Sequence, residues 1–430
     1  MTMRAGKETL NNEVKITGSI CAYPYFLIRG IDIDKEGLAY KIWVNICPTL
    51  ESEILSLIDS PLSNPLCEKA PSLSGLGCWR RLLLRMGKKD YVIPIEIGGQ
   101  FVEEVKKSEW NGELEFVVTD EFDFPHLIRV YKNGRVERLF GSPIVPPSPE
   151  DPATGVSSKD IDISPEFKAR IYLPKLTNST DQKLPILVYY HGGAFCLESA
   201  FSFLDHRYLN RIVAESNVIA ISVEYRLAPE IPFPAAYEDS WAALQWVGSH
   251  VEAKPGFEKE PWLVNHGDFE KVLIGGDSAG GNIVHNLSLR SGSESLNGGI
   301  KILGSLLCFP YFLTSIDFKE DSLPSKLWRF VNPSTKDGVD DPNINPFVEK
   351  AQSLSTLGCS KILVCVAEKD ELRNIGIKYV EAVKNSEWKG EIELIDVEGE
   401  DHCFQIFDTE TEKAKNLIKG MASFIKKSCV

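Results

Sequence analysis

The 430-residue sequence predicts an α/β fold built around a parallel sheet, with the functional site at the carboxyl ends of the strands. The apolar runs ILVYY, KVLI, KILVCVA and IELIDV are short and rich in β-branched residues, as is typical of buried parallel strands. Each run leads into a loop that carries glycine or polar residues. Open α/β sheets form their sites at the carboxyl ends of their strands, so these loops are the candidate site.

Composition excludes several classes of protein. Lys and Arg number 47 against 61 Asp and Glu, and the net charge of −14 argues against nucleic acid as a partner, because phosphate binding needs a clustered basic surface. No apolar run approaches the roughly 18 residues of a membrane span, and the N-terminus lacks the apolar stretch of a secretory signal. The ten cysteines include no CxxC pair. We expect a cytoplasmic protein without metal or cofactor, and its oligomeric state stays open.

An internal repeat divides the chain. SLSGLGC at 72–78 recurs as SLSTLGC at 353–359, and KKSEWNGELE at 106–115 recurs as KNSEWKGEIE at 384–393. The offset drifts only from 281 to 278 residues between these matches, as a few small insertions and deletions would produce. We therefore predict that residues 1–122 are a truncated, non-catalytic duplicate of the C-terminal part of the domain at 123–430.

The first candidate motif is HGGAF at 191–195, which follows the predicted strand ILVYY. Gly192 and Gly193 lack side chains, so their backbone N–H groups can come close to a ligand. A glycine pair after a strand can also form only a tight turn, and the motif alone does not decide between the two interpretations.

The second motif is GDSAG at 276–280, which lies between the apolar strand KVLI and the helical stretch NIVHNLSL. A strand, a sharp turn and a helix are the context of a nucleophile elbow, in which the turn exposes the Ser278 hydroxyl at a helix N-terminus. Gly276 and Gly280 flank the serine because the turn leaves no room for Cβ atoms beside it. GxSxG is a weak signal alone, but the strand before it and the upstream HGG make it strong.

The third motif is a pair of loops that contain Asp370 and His402. A serine hydroxyl becomes nucleophilic when an imidazole takes its proton, and the imidazole needs a carboxylate to fix its tautomer. The chain order Ser278, Asp370, His402 is the order of the α/β-hydrolases. The sequence therefore predicts a catalytic triad at the carboxyl ends of three strands.

Other side chains compete for these roles. Asp277 is a rival acid, but its position next to the nucleophile turns its side chain away from an imidazole, and Asp396 and Asp401 lie on or beside the loop of His402. We expect His191 to support its loop and His285 to pack in the core. The remaining histidines, at positions 126, 206, 250 and 266, follow no strand in the required order.

Together these motifs resemble a known family. HGGAF, EYRLAPE at 224–230, GDSAGGN, VAEKDELR at 366–373 and EDHCFQIF at 400–407 resemble the plant carboxylesterases of the hormone-sensitive lipase group. The gibberellin receptors and the 2-hydroxyisoflavanone dehydratases are related to this group. The resemblance starts near LIRVYKNGRVERL at 127–139 and covers about 300 residues to the end of the chain.

The resemblance implies both fold and roles. It implies an α/β-hydrolase fold, with a mostly parallel eight-stranded sheet, helices on both faces and an N-terminal cap. It matches Ser278 to the nucleophile, Asp370 to the acid and His402 to the base. The backbone N–H groups of Gly192, Gly193 and Ala279 match the oxyanion hole.

The segment before residue 123 departs from the family pattern, because it lacks both HGG and GxSxG. It cannot be a second active site. Three fates are open for it: it docks on the esterase domain, it stays partly disordered, or it alters the cap and the pocket entrance. We expect it to be inert or weakly docked.

Three functions fit the scaffold. The first is a serine carboxylesterase that hydrolyses a small-molecule ester through an acyl-enzyme. The second is a dehydratase that acts on a hydroxyisoflavanone-like metabolite with the same base and oxyanion donors. The third is a non-catalytic receptor of the gibberellin type, which the presence of His402 disfavours because that branch has lost the catalytic histidine.

Overall fold

The protein is represented by a computed structural model. The structure describes residues 18–22, 81–90, 95–108, 110–124, 126–131, 133–176, 183–252 and 257–429. Its residues form two compact units, one running to Phe140 together with Asp321–Leu323, and the other comprising Gly141–Glu320 and Pro324–Val430. In the part of the chain so described, no helix has both the length and the apolar character needed to cross a bilayer.

The first unit contains a five-stranded sheet in chain order. Its elements are β1 (Gly18–Ala22), β2 (Arg81–Asp90), α1 (Ile95–Lys107), β3 (Glu113–Phe124), β4 (Ile128–Val130) and β5 (Val136–Arg138). The first three strands are parallel, and β4 and β5 add an antiparallel edge. Because β4 pairs with β3 and β5 pairs with β4, the first unit extends to Phe140, whereas the repeat predicts a sequence boundary at 122/123.

The second unit contains the eight-stranded sheet, which confirms the expected fold class. Its strands are β6 (Ser157–Asp162), β7 (Lys168–Leu173), β8 (Leu184–Tyr190), β9 (Ile219–Glu224), β10 (Gly267–Asp277), β11 (Ile302–Cys308), β12 (Lys361–Ala367) and β13 (Glu391–Val397). Their order is β13-β12-β11-β10-β8-β9-β7-β6, and only the pairs that involve β7 are antiparallel. Strand β10, which leads to Ser278, is therefore central.

The helices assigned between and after these strands have the following bounds: α2 (Phe203–Ser216), α3 (Ala235–Gly248), α4 (Pro261–His266), α5 (Ala279–Ser291), α6 (Leu323–Val331), α7 (Arg373–Asn385), α8 (Phe404–Phe407) and α9 (Glu412–Ser428). Sequence fixes several of their ends. Ser202 caps α2 by accepting a hydrogen bond from the Asp205 N–H, and Thr411 caps α9 in the same way through Ala414. Asn217 ends α2 in the left-handed conformation that asparagine tolerates.

The core lies on both sides of the central strands. Residues 362–367 of β12 are all buried, whereas residues of β13 are exposed or half-buried because β13 is an edge strand. Each fully buried leucine, isoleucine or valine of β12 contributes about 1.5–3 kcal/mol relative to an exposed one. This packing holds the carboxyl ends of β10, β11 and β12 in register.

The first unit matches the end of the second in topology. Gly18 pairs with Arg81 and Arg81 with Glu113, and in the second unit Gly304 pairs with Lys361 and Lys361 with Glu391. The repeat offset of 278 residues likewise aligns Glu113 with Glu391, whereas the offset of 281 puts Arg80, one residue before Arg81, opposite Lys361. Most other repeat matches, including SLSGLGC at 72–78, lie outside the described residues. The duplication and the expected cap stay predictions.

Candidate active site

The predicted nucleophile elbow is the turn that connects β10 to α5. Ser278 adopts φ 51° and ψ −114°, a conformation that is strained for a residue with a side chain. Its N–H donates to the Cys308 carbonyl at 2.8 Å, and its own carbonyl accepts from the N–H groups of Asn282 and Tyr311 at 3.0 Å. These three bonds hold the strained serine between two neighbouring strand ends and the first turn of α5.

The flanking glycines are required by close backbone contacts, as the sequence predicts. A Cβ atom on Gly276 would collide with the backbone of Gly280, and one on Gly280 would collide with the Tyr190 carbonyl of β8. Relief of these collisions would require backbone movement. The elbow therefore depends on glycine at both positions.

The structure brings Asp370 and His402 together. Asp370 lies three residues beyond β12 and His402 lies five residues beyond β13. His402 Nδ1 is 2.7 Å from Asp370 Oδ2. The other carboxylate oxygen, Oδ1, accepts a hydrogen bond from the Leu372 N–H at 2.8 Å. Both oxygens are thus engaged, which fixes the carboxylate and directs Nε2 of the ring away from Asp370.

The electrostatics of His402 suit a general base. Burial opposes the charged imidazolium, but the hydrogen bond and charge of Asp370, together with the charges of Asp277 and Glu371, outweigh it and raise the pKa of His402. The side chain of His402 is 34% exposed and that of Asp370 is 1% exposed. A stabilised imidazolium is the form that results when the ring takes a proton from serine.

The loop of His402 and the elbow lie side by side. We call residues 398–403 the histidine loop. In this loop, Cys403 Sγ is 3.8 Å from Oδ2 of Asp277, the residue that immediately precedes Ser278. The ring of His402 packs edge-on against Phe309 at 5.9 Å, and Phe309 follows Cys308, the residue that accepts the Ser278 N–H. The hydrogen bond between the Ser278 hydroxyl and Nε2 stays a prediction.

Residues 191–198, the oxyanion loop, follow β8. Gly193 has φ 97°, and its carbonyl accepts from the N–H groups of Cys196 and Leu197 at 3.0 and 2.8 Å. A side chain on Gly193 would collide with the Leu197 carbonyl. Ala279, the third predicted donor, is the first residue of α5. That the N–H groups of Gly192, Gly193 and Ala279 form an oxyanion hole stays a prediction.

Polar residues that the sequence analysis did not single out support the oxyanion loop. The Tyr225 hydroxyl donates to the His191 carbonyl at 2.8 Å, and the two rings stack with centroids 4.3 Å apart. Directly after the loop, the Glu224 carboxylate accepts hydrogen bonds from the Ser199 hydroxyl at 2.8 Å and from the Ala200 N–H at 2.6 Å. Glu224 and Tyr225 begin EYRLAPE at the end of β9. Their position at the carboxyl end of a strand was the one indication in the sequence that they could lie near the site.

His191 acts as the structural residue that we expected. It is fully buried, and Nδ1 is 2.8 Å from the Gly192 carbonyl. Burial lowers its pKa to about 4, although the hydrogen bond to Gly192 opposes the shift, so the ring is neutral at physiological pH.

The rival carboxylates and histidines have other partners. Asp396 binds Arg373, with 3.0 Å between Oδ1 and Nε, and Asp401 accepts the backbone N–H of His402 at 2.7 Å. His285 is buried, and its Nδ1 is 2.9 Å from the Tyr379 hydroxyl. Among the candidates weighed, Asp370 is thus the carboxylate bound to the His402 ring.

Comparison with known proteins confirms the expected fold. The family model of the alpha/beta hydrolase fold matches residues 187–406, which include Gly192, Ser278, Asp370 and His402. A 2-hydroxyisoflavanone dehydratase from Glycyrrhiza echinata is 57% identical over 314 residues, covering 70% of this chain and 95% of that protein. Probable carboxylesterase 13 from Arabidopsis thaliana is 43% identical over 324 residues, which cover 71% of this chain and 97% of that protein.

A solved structure has the same fold. Esterase LipW from Mycobacterium marinum has a TM-score of 0.52 and 22% identity, with 64% of this chain and 83% of that chain covered, a likeness that shows the fold. The chain belongs to the α/β-hydrolase family. Within it, the chain is a member of the hormone-sensitive lipase group, together with plant carboxylesterases and 2-hydroxyisoflavanone dehydratases.

Proposed function

We propose that the protein is a serine carboxylesterase that hydrolyses small-molecule carboxylic esters. The observation that carries this proposal is the 2.7 Å bond between His402 Nδ1 and Asp370, formed at the carboxyl end of the sheet, where Ser278 directly follows the central strand. An imidazole whose Nδ1–H is held by a carboxylate presents an unprotonated Nε2, which is the form that accepts the serine proton.

The reaction has two halves. His402 Nε2 takes the proton of the Ser278 hydroxyl while the oxygen attacks the ester carbonyl, and the negative oxygen of the tetrahedral intermediate accepts hydrogen bonds from Gly192, Gly193 and Ala279. His402 then gives its proton to the departing alcohol, which leaves an acyl-serine. Water, activated by the same imidazole, attacks this acyl group and releases the acid and free Ser278.

The oxyanion donors supply the largest electrostatic contribution to such a reaction. Removal of one donor typically lowers turnover by about 10²–10³. The Tyr225 hydroxyl binds the His191 carbonyl of this loop, Glu224 binds the Ala200 N–H just after it, and Gly193 supplies the positive φ that its turn requires. These features favour a preorganised site over a loop that orders only around substrate.

A dehydratase is the second candidate. A relative named 2-hydroxyisoflavanone dehydratase is 57% identical to this chain, and the same side chains can carry out an elimination. His402 would remove a proton next to a carbonyl, the oxyanion donors would stabilise the enolate, and the neighbouring hydroxyl group would depart as water after protonation. Ser278 forms no covalent bond in this reaction.

Substitution of Ser278 separates the two reactions. We expect the full chain to release p-nitrophenol from short-chain p-nitrophenyl esters, and Ser278→Ala to lower that rate by at least about 10³. Turnover of a 2-hydroxyisoflavanone without ester hydrolysis would instead favour the dehydratase. Tight ligand binding with neither turnover would favour a receptor and overturn the proposal.

We further propose that residues 1–122 are a truncated duplicate without catalytic function, followed by the hydrolase domain at 123–430. Two features support this proposal: the repeated sequence motifs, and the equal register of β1-β2-β3 and β11-β12-β13. The position equivalent to His402 is Phe124, a buried apolar residue that cannot move a proton.

A further inference from the structure

The carboxylate of Asp277 lies behind the triad, and the mechanism above does not use it. Asp277 is the last residue of β10, directly before the nucleophile, and is 4% exposed. Its Oδ1 accepts a hydrogen bond from the Tyr189 hydroxyl of β8 at 2.8 Å. This bond fixes the carboxylate to the central part of the sheet.

The second oxygen of Asp277 contacts two further catalytic segments. Oδ2 lies 3.8 Å from Cys403 Sγ, next to His402 in the histidine loop. The same oxygen packs against Gly192, since a Cβ atom placed on that glycine would collide with it. One carboxylate therefore touches the oxyanion loop and the histidine loop, and its own backbone continues into the elbow.

Both loops have unusual backbone conformations where they meet Asp277. Cys403 has φ 53°, a value that L residues other than asparagine and aspartate rarely adopt, and Gly193, next to Gly192, has φ 97°. Such conformations persist where surrounding contacts over-determine them. The contacts of Oδ2 with Cys403 and Gly192 are of this kind.

The charge of Asp277 also reaches the base. Burial raises the pKa of Asp277 to about 6, although the Tyr189 hydrogen bond and the positive charge of His402 oppose the shift. Asp277 is therefore ionised above neutral pH. Its negative charge adds to that of Asp370 in raising the pKa of His402.

Other titratable groups face this pair. The carboxylates and the imidazole whose charges act on Asp277 are those of Glu198 in the oxyanion loop, Asp205 in α2, and His402. The hydroxyl and thiol groups that face it are Tyr189, Tyr208, Tyr225, Cys308 and Cys403. Besides Asp277, the carboxylates that face His402 are Asp370 and Glu371.

We propose that Asp277 is a positioning residue that joins the oxyanion loop, the nucleophile elbow and the histidine loop, and that its negative charge stabilises the His402 imidazolium. The inference rests on the proposed role of His402 as the base. It assigns a task to a carboxylate that makes no bond to the imidazole and does not touch the reacting atoms.

Asp277→Asn tests the charge while it preserves the shape of the side chain. The Tyr189 hydroxyl can still donate to the amide oxygen, which keeps the hydrogen bond that holds this side chain. We expect the pKa of His402 to fall by roughly 0.5–1 unit, less than the 1–3 units of a directly paired charge. We expect kcat for ester hydrolysis to fall about tenfold, well short of the roughly 10²–10⁴ attributed to a general base, with KM changed less than about twofold.

The pKa of His402 is read directly by NMR titration of the full chain labelled with ¹⁵N-histidine. The His402 signals are assigned by their loss in His402→Gln. This readout does not depend on ester turnover, so the inference and the proposed function fail separately. Asp205→Asn is the control, because Asp205 is another buried carboxylate, bonded to Ser202 at the N-terminus of α2, and belongs to neither the elbow nor the histidine loop.

A lower His402 pKa in Asp277→Asn, with no decrease in Asp205→Asn, would support the inference. An unchanged His402 pKa in folded Asp277→Asn would overturn it and leave Asp277 as a packing residue. If Asp277→Asn does not fold, Tyr189→Phe replaces it. Loss of that hydroxyl raises the pKa of Asp277, so its charge near pH 7 declines and the His402 pKa falls in the same direction. An unchanged value in Tyr189→Phe would then overturn the inference.

Discussion

Substitution of Asp370 by asparagine has an outcome that follows from the two hydrogen bonds of its carboxylate. Oδ1 accepts the Leu372 N–H at 2.8 Å and Oδ2 contacts His402 Nδ1 at 2.7 Å. Asparagine keeps its single oxygen at the Leu372 N–H and turns its amide donors toward the imidazole. Nδ1 must then accept a hydrogen bond, so the proton moves to Nε2 and the ring cannot take a proton from Ser278.

We therefore expect Asp370→Asn to lower kcat about 10⁴-fold, the loss seen when a triad serine hydrolase adopts the wrong tautomer. This corresponds to about 5 kcal/mol of transition-state stabilisation. The assay is p-nitrophenyl ester hydrolysis at pH 8, with the melting temperature measured in parallel. Asp396→Asn is the matched control. Asp396 binds Arg373 rather than the imidazole, so this variant should retain full activity. More than a tenth of wild-type kcat in folded Asp370→Asn would refute the reasoning.

Three further expectations concern the loop, the pH profile and the N-terminal unit. Gly193→Ala forces a side chain onto φ 97° and against the Leu197 carbonyl, so kcat should fall about 10²–10³ with little change in KM; unchanged steady-state kinetics would contradict this. Because hydrolysis needs neutral His402 and its pKa is raised, kcat/KM should decline with falling pH at a midpoint above the ordinary value of about 6.5, and a midpoint below that value would oppose the assignment. A chain that begins at Asp123 should keep the kcat/KM of the full chain, and a loss beyond about threefold would give the N-terminal unit a role.

Local sequence patterns predicted the strands that lead to the candidate triad, and chain order suggested the three roles, which stay predictions. The strands before Ser278 and Asp370 are apolar runs that are largely buried, whereas the strand before His402, which the sequence also indicated as buried, is an exposed or half-buried edge strand. The structure then pairs Asp370 with His402, a contact between loops that the chain order implies. Such features are predictable because each depends on a short segment and on the rule that sites lie at the carboxyl ends of parallel strands.

Side-chain contacts across segments were harder to predict. The sequence analysis placed Asp277 away from the imidazole. Asp370 indeed takes the bond to Nδ1, yet the Asp277 carboxylate lies between two catalytic loops. The support of the oxyanion loop by Glu224 and Tyr225 also depends on how β9 sits beside β8. No spacing in the sequence encodes these contacts, because they are set by tertiary packing.

The extent of the first unit was equally dependent on tertiary pairing. The repeat marks where duplicated sequence ends, near residue 122. The first unit runs on to Phe140, because β4 pairs antiparallel with β3 and β5 pairs antiparallel with β4. The boundary of a repeat depends on which segment of sequence was duplicated. The boundary of a compact unit depends on which residues contact one another. The two boundaries therefore need not coincide.

The most direct measurement is the mapping of a fluorophosphonate adduct on the full-length protein by mass spectrometry. Such a probe reacts with a serine only when a neighbouring base has activated the hydroxyl. The label is expected on Ser278, and it should be lost in His402→Gln and strongly reduced in Asp370→Asn. A label on another residue, or equal labelling of Ser278 without the imidazole, would contradict the assignment of these three side chains.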